Sequence, residues 1–141
     1  MSRLLSIDYG TKRCGIAVSD TLQIIANGLT TVKTSELLSF LKEYANKEDV
    51  ECFVMGKPMQ TNGAPSDTYS KVMSFAKQLE KAFPDIPVDF YDERYTSVIA
   101  HQAMLDGGLK KKQRQDKALV DEISACIILQ DYMNSKQRNK V

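Results

Sequence analysis

Three acids stand where apolar runs end or begin: Asp8, Glu93 and Asp121. Asp8 closes the greasy stretch "LLSID" and is followed by Gly10, Lys12 and Arg13. Glu93 follows "VDFYD". Asp121 lies in "VDEISACIILQDYM". At 100° per residue its neighbours in line are Ala125, Ile128 and Tyr132, so it heads a mostly apolar stripe. A carboxylate turned toward a core needs a partner, and the candidates are a metal ion or a basic side chain such as Arg94. Carboxylates crowded together repel, and a divalent cation relieves that repulsion. Mg²⁺ takes oxygen ligands and keeps several waters. Two such ions about 4 Å apart can activate a water and steady the leaving oxygen of a phosphodiester. Each acid also has a plainer reading: Asp8 as a turn acid accepting backbone N–H bonds, Glu93 paired with Arg94 in a surface loop, Asp121 as a buried ion-pair partner.

The elements that must position these acids follow from hydrophobic periodicity. Residues 3–9 and 14–19 read as strands joined by the hairpin turn Gly10-Thr11-Lys12-Arg13. In the second strand Cys14, Ile16 and Val18 alternate with Gly15, Ala17 and Ser19, giving one bulky and one small face. Residues 27–33, rich in Thr and Val, read as a third strand. The period then changes: Leu37, Leu38, Leu41, Tyr44 and Ala45 make a helical stripe with Ser35 as its expected cap. "ECFVMG" (51–56) has the continuous apolar character of a strand buried on both faces. A Gly- and Pro-rich loop leads to a helix over about 67–83, then to the strand "IPVDFYDE". Thr96 or Ser97 caps a further helix ending before Gly107-Gly108, "DGGLKKKQRQ" reads as a mobile loop, and a last helix spans roughly 116–134. The order predicts a three-stranded meander followed by parallel crossovers: an α/β fold with a mixed sheet and helices on its faces. The first strand is then central, with Asp8 and Glu93 at the same edge.

Around the acids, Lys12 and Arg13 suit contact with a substrate backbone, against the alternative of a solvated turn. Lys110, Lys111, Lys112 and Arg114 make a basic cluster that is either a solvated surface or a phosphate-gripping flap. Asp20 reads as a turn or cap acid, and His101 as a surface residue rather than a base. Tyr9, Tyr91 and Tyr95 flank the acids and are taken as packing, with base stacking the alternative.

Composition narrows the class without choosing a partner. The 141 residues are one ordinary domain's worth, so 1–141 is read as a single domain. A hydrophobic fraction of 43% is enough to bury a core. A net charge of +1 leaves any nucleic-acid argument to a local basic patch. Cys14, Cys52 and Cys126 form no CxxC pair and His101 is the only histidine, which speaks against a disulfide framework or structural zinc and for a reduced, cytoplasmic protein. Neither a signal peptide nor a membrane span is expected.

"IDYGTKRCGIAVSD", "VMGKPMQTNG", "YDERYTS" and "VDEISACIILQDYM" together resemble the four ordered blocks of the YqgF/RuvX family, over nearly the whole chain. Members are compact bacterial domains described as candidate Holliday-junction resolvases and as nucleases that process the 5′ end of precursor 16S ribosomal RNA. The resemblance implies an RNase H-like fold, with a mixed five-stranded sheet and helices on both faces. It also implies that Asp8, Glu93 and Asp121 are the catalytic acids and hold two Mg²⁺ or Mn²⁺ ions. Gly10, Arg13 and Gly15 match the hairpin signature, Gly56 and Pro58 a G-x-P turn, and Arg94 and Thr96 residues bordering the site. Ser124-Ala125 stands where two small residues, often both Ala, are expected. Gly10, Arg13 and Arg94 from this match, with Lys12, Lys110, Lys111 and Lys112 from the reading of the basic residues, make the candidate substrate-binding set. The activity that the resemblance implies is metal-dependent hydrolysis of phosphodiesters in precursor 16S rRNA. Branched DNA is the alternative substrate. Two other readings remain: a nucleotide-binding domain, since "DYGTKRCGIAV" also resembles the phosphate hairpin of actin-like ATPases and sugar kinases, and a non-catalytic nucleic-acid adaptor. Monomer and homodimer stay equally open.

Overall fold

The opening apolar run folds as β1 (Arg3–Asp8), the middle strand of a five-stranded sheet. The computed structural model describes residues 2–57, 68–92 and 117–138. β1 pairs antiparallel with β2 (Arg13–Ser19), which pairs antiparallel with β3 (Ala26–Lys33). On its other side β1 pairs parallel with β4 (Val50–Lys57), and β4 parallel with β5 (Val88–Asp92). The order β3-β2-β1-β4-β5 is the expected meander followed by parallel crossovers. Burial on both faces explains why β1 and β4 read as continuous apolar runs rather than as alternations.

Alternation along the strands sends side chains to two separate cores. On one face Leu5, Ile7, Ile16, Phe53 and Met55 pack with Leu37 and Leu41 of α1 (Leu37–Lys47) and with Val72, Phe75 and Leu79 of α2 (Tyr69–Ala82). On the other, Leu4, Ala17, Cys52 and Val54 pack with Ala125, Ile128, Leu129, Tyr132 and Met133 of α3 (Lys117–Arg138). Helices therefore cover both faces.

The small face of β2 has a direct purpose. A Cβ at Gly15 would run into the backbone carbonyl of Asp121, so α3 lies flush on the strand there. Ser6, fully buried, donates its hydroxyl to the Ala125 carbonyl at 2.7 Å, fixing the helix over β1 as well. At the far side Tyr91 donates to Asp131 (2.8 Å) and Tyr132 to Asp89, so Tyr91 and Asp89 of β5 also face α3. Tyr91 thus serves packing.

Two local expectations change. Ser35 caps nothing: Thr34–Glu36 forms a 3-10 turn ahead of α1, and neither helical start carries a side-chain cap bond. The adjacent Thr34 is committed elsewhere, donating its hydroxyl to the Gly10 carbonyl (2.7 Å) and its N–H to the Lys12 carbonyl (3.1 Å). The approach to α1 braces the first hairpin. The last helix also runs on to Arg138 rather than ending near 134. Asp20 is a turn acid, its carboxylate accepting the N–H groups of Ile24 (2.7 Å) and Ile25 (2.9 Å), which hold it below the usual carboxylate range. Pro58, Glu93, Arg94, Tyr95, Thr96, Ser97, His101, Lys110, Lys111, Lys112 and Arg114 lie outside the described residues. Among those described, no helix is long and apolar enough to cross a membrane, and all three cysteines are free.

Candidate active site

Asp8 is the last residue of the central strand, and its partner across the ladder is Gly15. Leu4 and Ser6 of β1 face α3, so the period of two puts Asp8 on that same face. Asp121 lies early in α3 with its backbone directly over Gly15. One glycine is thus the common neighbour of both acids. Because Gly15 has no side chain, nothing of β2 separates strand end from helix at that point. Cys14 senses the result. Burial pushes its thiol up, hydrogen bonds with Thr34 and Gly10 pull it down, and the charges of Asp8 and Asp121 push it up again. Both carboxylates act on one buried atom.

Arg13 begins β2 and reaches the same spot. Its Nε donates to Asp121 Oδ2 at 2.8 Å, with the two side chains 35% and 27% exposed. Asp121 therefore has a basic partner, as a charge at the head of an apolar stripe requires. The sequence offered a metal ion or a basic side chain such as Arg94; among the described residues a basic partner is Arg13, and Arg94 lies outside them. Gly10, Thr11, Lys12, Arg13 and Asp121 line an open cavity of about 350 Å³. The hairpin turn and the helical acid consequently form one concave surface. Gly10 is needed for the turn itself, since a Cβ there would strike the Arg13 carbonyl. The structure thus gathers Asp8, Asp121, Gly10, Lys12 and Arg13.

The donor chemistry suits a hard divalent cation. Asp8 and Asp121 supply carboxylate oxygens, the ligands Mg²⁺ and Mn²⁺ take. A guanidinium already sits against one of them, as expected where negative charge is concentrated. Among the described residues, no three His, Cys, Asp or Glu side chains form a metal cluster. Two residues that build the site gave no sequence signal as supports: Thr34, whose partner is a backbone carbonyl, and Cys14, whose role follows from burial.

The family model described as "RuvX: Holliday junction resolvase" matches residues 2–135. The chain belongs to the RuvX family. Curated RuvX-family relatives carrying the name "Putative pre-16S rRNA nuclease" include those of Phocaeicola vulgatus, 63% identical over 97% of this chain and 99% of that one, and Bacteroides thetaiotaomicron, 59% identical with the same coverage. A Flavobacterium johnsoniae relative of that name is 56% identical, again over 97% and 99%. Among solved structures, T. thermophilus RuvC in complex with a Holliday junction substrate superposes with a TM-score of 0.58, at 18% identity, covering 97% of this chain and 96% of that one. Thermus thermophilus RuvC gives 0.57 at 15% identity, over 96% of each chain. These likenesses establish the fold: RNase H-like, as the sequence blocks implied.

Proposed function

We propose that this RuvX-family chain is a divalent-metal-dependent nuclease, with residues 1–141 acting as one nuclease domain and Asp8, Glu93 and Asp121 as its catalytic and metal-holding acids. The observation that carries the reading is the meeting of Asp8 and Asp121 around Gly15 at the carboxyl end of the central strand. Glu93 joins them by its sequence match. Bound Mg²⁺ or Mn²⁺ would supply a water of lowered pKa and positive charge for the departing oxygen.

The chain's own residues do the rest. Asp8 and Asp121 present oxygens to the cation and fix where it sits. Arg13, already at the site, offers a guanidinium to a phosphate oxygen, and Lys12 extends that positive surface along the turn. Gly10, whose missing side chain leaves room for the Arg13 carbonyl, lines the same cavity. Arg94, Lys110, Lys111 and Lys112 are proposed to hold the flanking phosphates. Such contacts position the strand without reading its sequence, and binding therefore weakens as salt rises.

The substrate proposed is precursor 16S rRNA, cut at its 5′ end during ribosome assembly in the cytoplasm. It is supported by the names of relatives that match this chain end to end. The family description favours a second reading, branched DNA. A resolvase would pair its sites as a dimer on a symmetric junction. Incubating the pure protein with precursor 16S rRNA and with a four-way DNA junction, each with Mg²⁺ or Mn²⁺, separates the two. Cleavage at the mature rRNA 5′ end supports the first, junction cleavage alone supports the second, and no cleavage of either overturns the enzyme.

A further inference from the structure

The strand end that sends Asp8 toward α3 sends the next residue, Tyr9, to the other side of the sheet. There Tyr9, Ser70, Lys71, Ser74, Phe75 and Gln78 line an open cavity of about 430 Å³. The Tyr9 ring is backed by Phe75, their centroids 5.4 Å apart at an interplanar angle of 35°. Phe75 is buried in the core, so the backing is rigid. The rest of the lining comes from exposed polar positions on successive turns of α2. A second cation stands close by, Lys57 Nζ lying 5.7 Å from the centroid of the Tyr69 ring at the start of that helix. Among the described residues lining the cavity there is no carboxylate.

This is a combination with one natural occupant. A fixed aromatic ring offers stacking to a base, ammonium groups answer a phosphate, and hydroxyl and amide groups tolerate any sugar or base edge. An apolar small molecule would find too little apolar wall here, and a paired duplex would keep its bases from the ring. We propose that the cavity binds an unpaired nucleotide flanking the scissile phosphate, its base against Tyr9 and its phosphate at Lys71. The proposal rests on the nuclease reading for its place beside Asp8. It makes a single-stranded flank the feature that selects the substrate, favouring unpaired precursor ends over fully paired arms.

The test separates binding from cleavage. Single-stranded RNA carrying 2-aminopurine at successive positions is titrated with protein in EDTA, reading affinity by anisotropy and stacking by quenching of the 2-aminopurine. Ser74→Leu, at an exposed helical position, plugs the cavity without touching the core; Tyr9→Leu removes the ring, and Tyr9→Phe restores it. Expected are a loss of affinity of roughly tenfold and loss of quenching in Ser74→Leu and Tyr9→Leu, near-complete rescue in Tyr9→Phe, and a salt dependence shallower by about one phosphate contact in Lys71→Gln. Unchanged affinity and quenching in folded Ser74→Leu overturns the subsite, whatever happens to Tyr9 variants. Should these losses appear while no metal supports cleavage, the subsite stands and the nuclease reading falls. Should Ser74→Leu cleave with unaltered KM, the subsite falls and the nuclease reading stands.

Discussion

Arg13 Nε stands 2.8 Å from Asp121 Oδ2, joining the first residue of β2 to α3 across 108 positions of sequence. A pair this exposed contributes at most about 1 kcal/mol to folding. Its value is better sought in what it does to the site: it places a positive charge on the carboxylate proposed to hold a cation, and keeps a phosphate-binding group beside it.

Removing that charge should therefore have opposite effects on two measurements. In Arg13→Gln, Asp121 loses its ion pair with the Arg13 guanidinium, and Mn²⁺ should bind up to about fivefold more tightly, the equivalent of one partly exposed ion pair. Cleavage of precursor RNA should fall on the order of a hundredfold, because a donor to the phosphate is lost. Isothermal titration with Mn²⁺, set beside single-turnover cleavage, checks both; weaker metal binding together with intact cleavage would refute this role.

The two glycines under α3 should differ sharply in their tolerance of a methyl group. At Gly15 a Cβ meets the backbone of Asp121 and Glu122, which cannot move without lifting the helix. Gly15→Ala should cost about 1–3 kcal/mol, the usual range for overpacking, and impair cleavage through displacement of Asp121. At Gly28 the obstacle is the Glu122 side chain, which can swing aside. Gly28→Ala should cost well under about 1 kcal/mol. Urea unfolding of the two variants compares them directly.

These contrasts show which parts of the site could be read from sequence. The division of β2 into Cys14, Ile16 and Val18 against Gly15, Ala17 and Ser19 was legible because a strand's period is two; that α3 lies flat on the small face was not, because it depends on tertiary packing. The line from Asp121 through Ala125, Ile128 and Tyr132 was legible for the same kind of reason on a helix. The ion pair of Asp121 with Arg13 was not. Arg13 reaches Asp121 only because β2 and α3 are packed together, which no local spacing signals. The Ser35 cap failed because a long-range contact, Thr34 to the Gly10 carbonyl, shapes that turn more strongly than local preference does. Tyr9 was legible as packing, and it does pack on Phe75, but a cavity beside it belongs to tertiary structure alone.

Alkaline pH should expose the cysteines' contribution. Burial first, and the Glu122 charge second, push the Cys126 thiol from an ordinary 9.0 up to about 11. Burial moves Cys14 and Cys52 the same way. The folded state then holds these protons more tightly than the unfolded chain. Stability is fully present below about pH 9 and is lost as pH rises toward about 11, because unfolding releases protons there. Cys126→Ala should flatten that decline while leaving Tm near the parent value at neutral pH. Thermal melts across this window measure it; an identical slope in the variant would be the contrary result.

The account turns on the carboxylate at the end of the central strand, so the most direct measurement is single-turnover cleavage of precursor 16S rRNA by Asp8→Asn in Mn²⁺, with folding checked by circular dichroism. The substitution keeps size and removes charge. Cleavage should drop by roughly a thousandfold, about 4 kcal/mol of lost barrier lowering, while the melting curve and RNA affinity measured in EDTA stay near those of the parent. Undiminished cleavage by a folded Asp8→Asn protein would contradict the assignment.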